Sequence, residues 1–210
     1  VNAAQAAVWG FARSLALEAP LIQCRRIDLE HDHRTPDAAR LWQELHSGGE
    51  DQVAIRNGDA YVPRLVRVAA PEPEHDVKLS GDATYLVTGG FGSLGLRAAA
   101  ALVNSGARHV ALCGRRGLTV EACAEVAELQ RRGAHVTAIQ ADVADADDVA
   151  RMLETITSTL PPLRGVVHAA GVLDDNVISE QRWEQAYGVL APKVGGAWHL
   201  HRLLATTPLD

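Results

Sequence analysis

The stretch Tyr85-Leu86-Val87-Thr88-Gly89-Gly90-Phe91-Gly92-Ser93-Leu94-Gly95 decides the fold. A short apolar run enters a glycine-punctuated turn, and from Leu94 the apolar residues recur at helical spacing. Strand, tight loop and helix are thus set end to end. Gly90-Phe91-Gly92-Ser93-Leu94-Gly95 matches G-x-G-x-x-G in the context that gives the pattern meaning, after a strand and opening a helix. Glycines there let the backbone turn sharply and approach a pyrophosphate. The helix start offers that anion free N–H groups and a partial positive charge. The alternative is a glycine-rich turn that binds nothing.

Downstream the alternation repeats. Strands are expected at 85–88, 109–112, 135–140 and 165–168, and helices at 94–104, 120–132, 146–160 and 181–205, the last containing Pro192. Short apolar strands alternating with helices imply parallel strands covered on both faces. Right-handed crossovers then make this an α/β fold, a Rossmann-like doubly wound parallel sheet in the order 3-2-1-4. Val166-Val167-His168 would lie at its edge.

Upstream, Ala69-Ala70-Pro71-Glu72-Pro73-Glu74-His75-Asp76 is polar, Pro-rich and aperiodic, and reads as a linker reaching to about residue 82. Before it, Ala4, Ala7, Val8, Phe11, Leu15 and Leu17 mark a helix that ends near Pro20. A short strand follows at 24–29. Thr35-Pro36 opens a second helix whose buried face would carry Leu41, Trp42 and Leu45. Asn57-Gly58-Asp59 joins strands at 52–56 and 60–65 as a hairpin. The expected organisation is the tail of a first domain at 1–68, a linker at 69–82 and a second domain at 83–210.

The chain has 210 residues, of which 47% are hydrophobic and 22% charged, and its net charge is −6. That balance excludes a disordered chain or coiled coil, and the acidic excess argues against a nucleic-acid partner. No apolar run is long enough for a membrane span. Cys24, Cys113 and Cys123 follow no ligand spacing and read as free thiols of a reducing cytoplasm. No metal site is expected: His31, His33, His199 and His201 stand alone or at spacings that do not face one way. Met152 is the sole methionine, and Val1 leads at once into a helical pattern, so the chain is expected to be a piece of a longer polypeptide.

The strand ends narrow the ligand. An NAD site wants a carboxylate about 20 residues past the glycines, on the ribose 2′-hydroxyl. Here Leu112-Cys113-Gly114-Arg115-Arg116-Gly117 has none, and two guanidinium groups stand where a 2′-phosphate would lie, which favours NADPH. One of the two reads instead as a solvated loop charge, and Arg116 is the one that fits this better. After the third strand, Asp142-Val143 either faces the adenine or caps the next helix, for which Asp145 is the better cap. His168-Ala169-Ala170-Gly171 end the fourth strand, and these residues either pass under the cofactor ribose and nicotinamide or simply pack the strand end. Lys193, Ala197, Leu200 and Leu204 share one face of the helix expected after Pro192. A lysine heading an apolar stripe either snorkels out or serves a cavity, and in a first helical turn the dipole disfavours it.

Taken together, Thr88-Gly89-Gly90-Phe91-Gly92-Ser93-Leu94-Gly95, Gly114-Arg115-Arg116-Gly117, Asp142-Val143, His168-Ala169-Ala170-Gly171-Val172-Leu173-Asp174-Asp175 and Ala191-Pro192-Lys193-Val194-Gly195-Gly196-Ala197-Trp198-His199-Leu200-His201 resemble the ketoreductase domain of modular type I polyketide synthases. That domain is a branch of the short-chain dehydrogenase/reductases. Residues 1–68 are similar, more loosely, to the end of its structural subdomain. The resemblance implies NADPH-dependent reduction of a β-keto group on a chain carried by the phosphopantetheine of an acyl carrier protein. It also implies neighbouring synthase domains in one multifunctional, antibiotic-forming enzyme.

The resemblance places Thr88, Gly90, Phe91, Gly92, Ser93, Leu94, Gly114, Arg115, Arg116, Asp142, Val143, His168, Ala169, Ala170, Gly171 and Lys193 on the cofactor. Lys193 falls at the position of the catalytic lysine, which lowers the tyrosine pKa. Leu173-Asp174-Asp175 resembles the fingerprint of B-type members, which set a D-configured hydroxyl; otherwise it is an acidic loop at a helix start. The family's serine and tyrosine would follow residue 210, and Tyr61, Tyr85 and Tyr187 do not match, so the 210 residues alone are expected to be inactive. Two other readings remain: a non-reducing structural or cofactor-binding module, and a generic NADPH-dependent short-chain reductase. The first is disfavoured by the intact loop, Arg115 and Lys193; the second by the upstream region and by Lys193.

Overall fold

The computed structural model describes residues 3–30, 37–47, 49–68 and 78–210. Two compact units emerge, one of residues 1–71 with 176–180 and one of residues 72–175 with 181–210.

In the first unit, α1 (Ala3–Glu18) and β1 (Arg26–Asp28) are followed by α2 (Asp37–Ser47) and the hairpin β2 (Gln52–Arg56) and β3 (Asp59–Tyr61). The sheet order is β1-β2-β3, with β1 parallel and β3 antiparallel to β2. Val53 and Ile55 are buried on alternate positions of β2. The turn is tight because Asn57 and Gly58 both adopt positive φ, 52° and 83°, the type I′ geometry that matches strand twist. The buried Arg26 pairs with Asp51. Asn176 to Glu180 belong with this unit, and the Ile178 N–H there donates to the Glu18 carboxylate at 2.6 Å. Three expectations are corrected. The strand at 24–29 shrinks to three residues, and that at 60–65 ends at Tyr61. Trp42 and Leu45 are exposed, because α2 turns Arg40, Leu41 and Glu44 inward and keeps the Arg40–Glu44 ion pair at 2.8 Å. Thr35 and Pro36 lie outside the described residues, as does linker segment 69–77.

In the second unit, Leu79 and Ser80 are already tied down: their N–H groups donate to the Ser105 carbonyl and the Tyr85 hydroxyl at 2.8 and 3.0 Å. Then come β4 (Thr84–Thr88), α3 (Ser93–Asn104), β5 (His109–Gly114), α4 (Val120–Arg131), β6 (His135–Gln140), α5 (Ala146–Thr159) and β7 (Leu163–His168). All strands are parallel, in the order β6-β5-β4-β7. Every residue of β4 is buried. Tyr85 and Val87 join Val110, Leu112, Ala99, Val103 and Leu129 in one core layer. Leu86 joins Ala111, Cys113, Val149, Met152 and Ile156 in the other. Neighbouring strand residues thus serve opposite layers, which is why β4 and β5 read as unbroken apolar runs. With α3 and α4 on one face and α5 on the other, the winding reverses between β4 and β7, the place where such sheets open a crevice.

The last helical stretch is continuous but not uniform. α6 (Trp183–Leu190) passes into a π-helical turn, Ala191–Gly195, and then α7 (Gly196–Leu203). Pro192 has no N–H to give the i−4 carbonyl, and the wider turn accommodates it without a break. Lys193 therefore sits mid-helix rather than in a first turn, and the expected stripe with Leu200 fails. The buried residues here are Pro192, Gly196 and Leu200, whereas Lys193 and Ala197 are exposed. Among the described residues no helix is long and apolar enough to cross a membrane.

Candidate functional site

The glycine turn is shaped by close approach. Gly89 adopts φ +65°, and a Cβ there would fall 2.6 Å from the Ala169 carbonyl oxygen. A Cβ on Gly95 would lie 2.2 Å from the Gly89 carbonyl oxygen, so the first turn of α3 rests directly on the loop. The Gly90 N–H donates to the Cys113 carbonyl at 2.9 Å, and Gly114 lies beneath the Phe91 ring. Gly92, by contrast, is exposed, and a Cβ on it would meet only the Gly89 carbonyl oxygen, at 3.4 Å.

The helix starts differ in a way that points to a ligand. The Thr119 hydroxyl caps α4, accepting from the Ala122 N–H at 3.2 Å. Asp145 caps α5, accepting from the Asp147 and Asp148 N–H groups at 2.9 and 3.0 Å. These N–H groups, that of Asp148 foremost, hold the Asp145 carboxyl below the usual aspartate range. At α3 the cap is Gly92, no side chain accepts from the first-turn amides, and the first turn carries no acidic residue. The positive end of that helix is left for an external anion. A dinucleotide pyrophosphate fits a turn whose backbone can be approached at Gly92 and whose charge is uncompensated.

The carboxyl ends of all four strands converge on one cleft. Gly89 follows β4, Gly114 ends β5 and Arg115 follows it, Asp142 and Val143 follow β6, and Ala170 and Gly171 follow β7. The cleft is an open groove of about 90 Å³. A larger hollow of about 620 Å³ lies at the opposite ends of the strands, around His109 and His135, far along the strands from the glycine turn. The smaller one is lined by Arg115 and by Gly89 of the glycine turn, three residues ahead of the α3 cap.

Thr88 is fully buried at the end of β4. Ser93 and Leu94 are exposed on the first turn of α3. Arg115 is exposed and lines the cleft, and its carbonyl accepts from the Gln140 side-chain amide at 3.0 Å. Arg116 is exposed but is not part of the lining. Asp142 Oδ1 accepts from the Ala144 N–H at 3.0 Å. The Ala169 N–H donates to the Thr88 carbonyl at 3.1 Å, which carries the β4–β7 ladder one step past the strand. Lys193 runs its stem past Gly171, with Cε 3.4 Å from where a Gly171 Cβ would be, and its ammonium has no ion-pair partner among the described residues. Leu173 and Asp175 are exposed outside the cleft lining, and Asp174 accepts from the Gln185 amide at 3.1 Å. Among the described residues no cluster of His, Cys, Asp and Glu could hold a metal.

Gly89 and Gly95 are the residues that motif reading undervalued. The doubled glycine of Thr88-Gly89-Gly90 was the available signal for the first. Pro192 also lines the cleft, and nothing local in the sequence marks it as doing so.

Comparison with known proteins agrees with this geometry. The family model for the KR domain matches residues 83–210, and that for the Rossmann fold domain of polyketide synthase extender module SpnB matches residues 1–65. The chain is 36% identical over 99% of its length to 5-methyl-1-naphthoate synthase of Streptomyces sahachiroi, of which it spans 12%. It is 43% identical, again over 99%, to polyketide synthase GfsE of Streptomyces halstedii, of which it spans 5%. A solved structure of A-type ketoreductases from a modular polyketide synthase superposes with a TM-score of 0.87 at 37% identity, covering 98% of this chain and 44% of that one. An uncapped glycine turn, a Rossmann-type sheet and these likenesses converge, and the chain belongs to the ketoreductase (KR) domain family of modular polyketide synthases.

Proposed function

We propose that this chain contributes the cofactor-binding part of an NADPH-dependent reductase acting on the β-keto group of a polyketide intermediate. The substrate is held on an acyl carrier protein within a multidomain synthase of the cytoplasm. Residues 1–68 serve as part of the structural subdomain, 69–82 as the linker and 83–210 as the nucleotide-binding part. The observation that carries the reading is the free amino end of α3, open at Gly92, on a glycine turn whose Gly89 lines the same crevice as Arg115.

NADPH, when bound, supplies the hydride. The residues of the chain bind and orient. Amides of Phe91, Ser93 and Leu94 receive the pyrophosphate beside Gly92, whose own N–H donates to the Gly89 carbonyl at 3.0 Å, and Arg115, joined by Arg116, holds the 2′-phosphate through its guanidinium fork. Thr88, Gly90 and Gly114 keep the floor narrow, Asp142 and Val143 border the adenine, and Ala169, Ala170 and Gly171 leave room for the ribose and nicotinamide. Lys193 stands over Gly171 with its ammonium free, so it can stabilise negative charge at the nicotinamide end.

Leu173, Asp174 and Asp175 set B-type stereochemistry in this reading. The configuration of the hydroxyl formed by the parent synthase tests it. None of the three tyrosines stands as the proton donor. Tyr85 is buried at the amino end of β4 with its hydroxyl bound to the Ser80 N–H, Tyr61 is on β3 and Tyr187 is on α6. In this reading residues 1–210 by themselves bind NADPH and turn over no ketone.

Calorimetric titration tests the cofactor assignment. NADPH should bind more tightly than NADH, and Arg115→Ala should abolish most of that preference, a loss of roughly tenfold or more for one charge-assisted contact. Preference for NADH, or an Arg115→Ala variant with unchanged selectivity, overturns the assignment. NADPH oxidation above background with a β-keto thioester overturns the claim of inactivity.

A further inference from the structure

His168 ends β7 in register with Thr88 at the end of β4. Its ring is used on both sides. Nδ1 lies 2.7 Å from the Thr88 hydroxyl oxygen, and Nε2 lies 2.9 Å from the Pro192 carbonyl oxygen. A carbonyl has no proton to give, so Nε2 carries a hydrogen and donates it, and in the tautomer with that single hydrogen Nδ1 accepts from Thr88. No ring nitrogen is left for a ligand. The edge of the ring also meets the following helix: a Cβ on Gly196 would fall 3.2 Å from His168 Cε1 and 2.9 Å from Val143 Cγ2.

His168 thus bonds the π-helical turn at Pro192 and lies beside Gly196, the first residue of α7, and Lys193 falls between those two points in the chain. π-helical turns are rare and persist where surrounding contacts hold them. We propose that His168 is a positioning residue: by bonding the Pro192 carbonyl it holds the wide turn that aims Lys193 along Gly171. The inference rests on the role given above to Lys193. Thr88, fully buried, keeps the ring in the required tautomer and orientation.

The chain has two lysines, Lys78 and Lys193, so the geometry can be read directly. In a Lys78→Arg background, reductive methylation with ¹³C-formaldehyde labels Lys193 and the amino terminus alone. With Lys193 Cε beside Gly171, its labelled methyl groups should show a nuclear Overhauser effect to the Gly171 α protons. His168→Gln retains an amide N–H that reaches the place of Nε2 and should keep that effect. His168→Asn reaches only the place of Nδ1 and should lose it while the amide spectrum of the sheet stays that of the unsubstituted protein. A readout without substitution is the long-range ¹⁵N–¹H correlation of the His168 ring, which should show Nε2 protonated and Nδ1 bare.

Protonation at Nδ1 alone overturns the proposal, as does an effect that survives in His168→Asn. If His168→Asn does not fold, the ring tautomer and the behaviour of His168→Gln still decide. Failure of the unsubstituted chain to bind NADPH would refute the cofactor reading and leave the coupling of His168 to Lys193 standing.

Discussion

Replacing Gly92 with aspartate should move stability and cofactor affinity in opposite directions. Gly92 has φ −83° and ψ 163°, an extended cap geometry that any L residue adopts, and a Cβ there finds its nearest neighbour at 3.4 Å. Aspartate can therefore enter without strain and cap the bare first-turn amides of α3. The cap adds a few tenths of a kcal/mol over glycine, and a negative charge at the helix start adds about 0.3–1 kcal/mol. The sum, about 1 kcal/mol, corresponds to a rise of roughly 3 °C in Tm for a unit of this size.

The same carboxylate would occupy the place assigned to the pyrophosphate. One like charge at about 4 Å costs roughly 4 kcal/mol at an effective dielectric of about 20. Screening at this exposed site reduces that to about 2 kcal/mol, or about 30-fold in Kd. Gly92→Ser caps without the charge and should stabilise slightly while keeping most of the affinity. The assays are thermal melts of the free protein and calorimetric titration with NADPH. A Gly92→Asp variant that melts lower than the parent, or binds NADPH within about twofold of it, refutes the assignment of the helix start as the phosphate site.

Gly95→Ala should behave differently, because its Cβ would sit 2.2 Å from the Gly89 carbonyl oxygen and 2.7 Å from Gly90 Cα, both backbone. Urea unfolding should show a loss of roughly 1–3 kcal/mol, and an unchanged midpoint would mean that α3 does not rest on the loop. Asp145→Ala removes the cap of α5 and should lower the urea midpoint at neutral pH. Since the folded Asp145 carboxyl titrates below its unfolded value, its contribution is present above the ordinary aspartate range and fades as pH falls through the folded pKa. The gap between variant and parent should therefore narrow in acid, and a gap that widens there contradicts the capping role. Alkylation followed by peptide mapping should modify the exposed Cys123 first and the half-buried Cys24 later. Cys113, whose thiol burial pushes up to about 11, should react only on unfolding, and early modification of it would place β5 outside the core.

Much of the second unit is written locally. The strand–glycine–helix run at 85–95, the cap at Asp145 and the hairpin at Asn57-Gly58 depend on neighbours within a few residues, where propensity and turn chemistry operate. Arg115 and Asp142 could be placed near the glycine loop because parallel strands bring their carboxyl ends together wherever the winding reverses.

The helix around Pro192 shows where local reading stops. Periodicity assumes 3.6 residues per turn, and on that assumption Lys193 heads the stripe of Leu200 and Leu204. The π-helical turn displaces it, and the contacts around that turn come from elsewhere in the chain: the His168 ring on the Pro192 carbonyl, and Val143 against Gly196. The exposed faces of Trp42 and Leu45 have the same origin, since which side of an amphipathic helix is covered depends on the partner it meets. Short-range chemistry is encoded residue by residue in this protein. The aim of Lys193 is set by groups some 20 to 50 positions away, and only folding brings them within bonding distance.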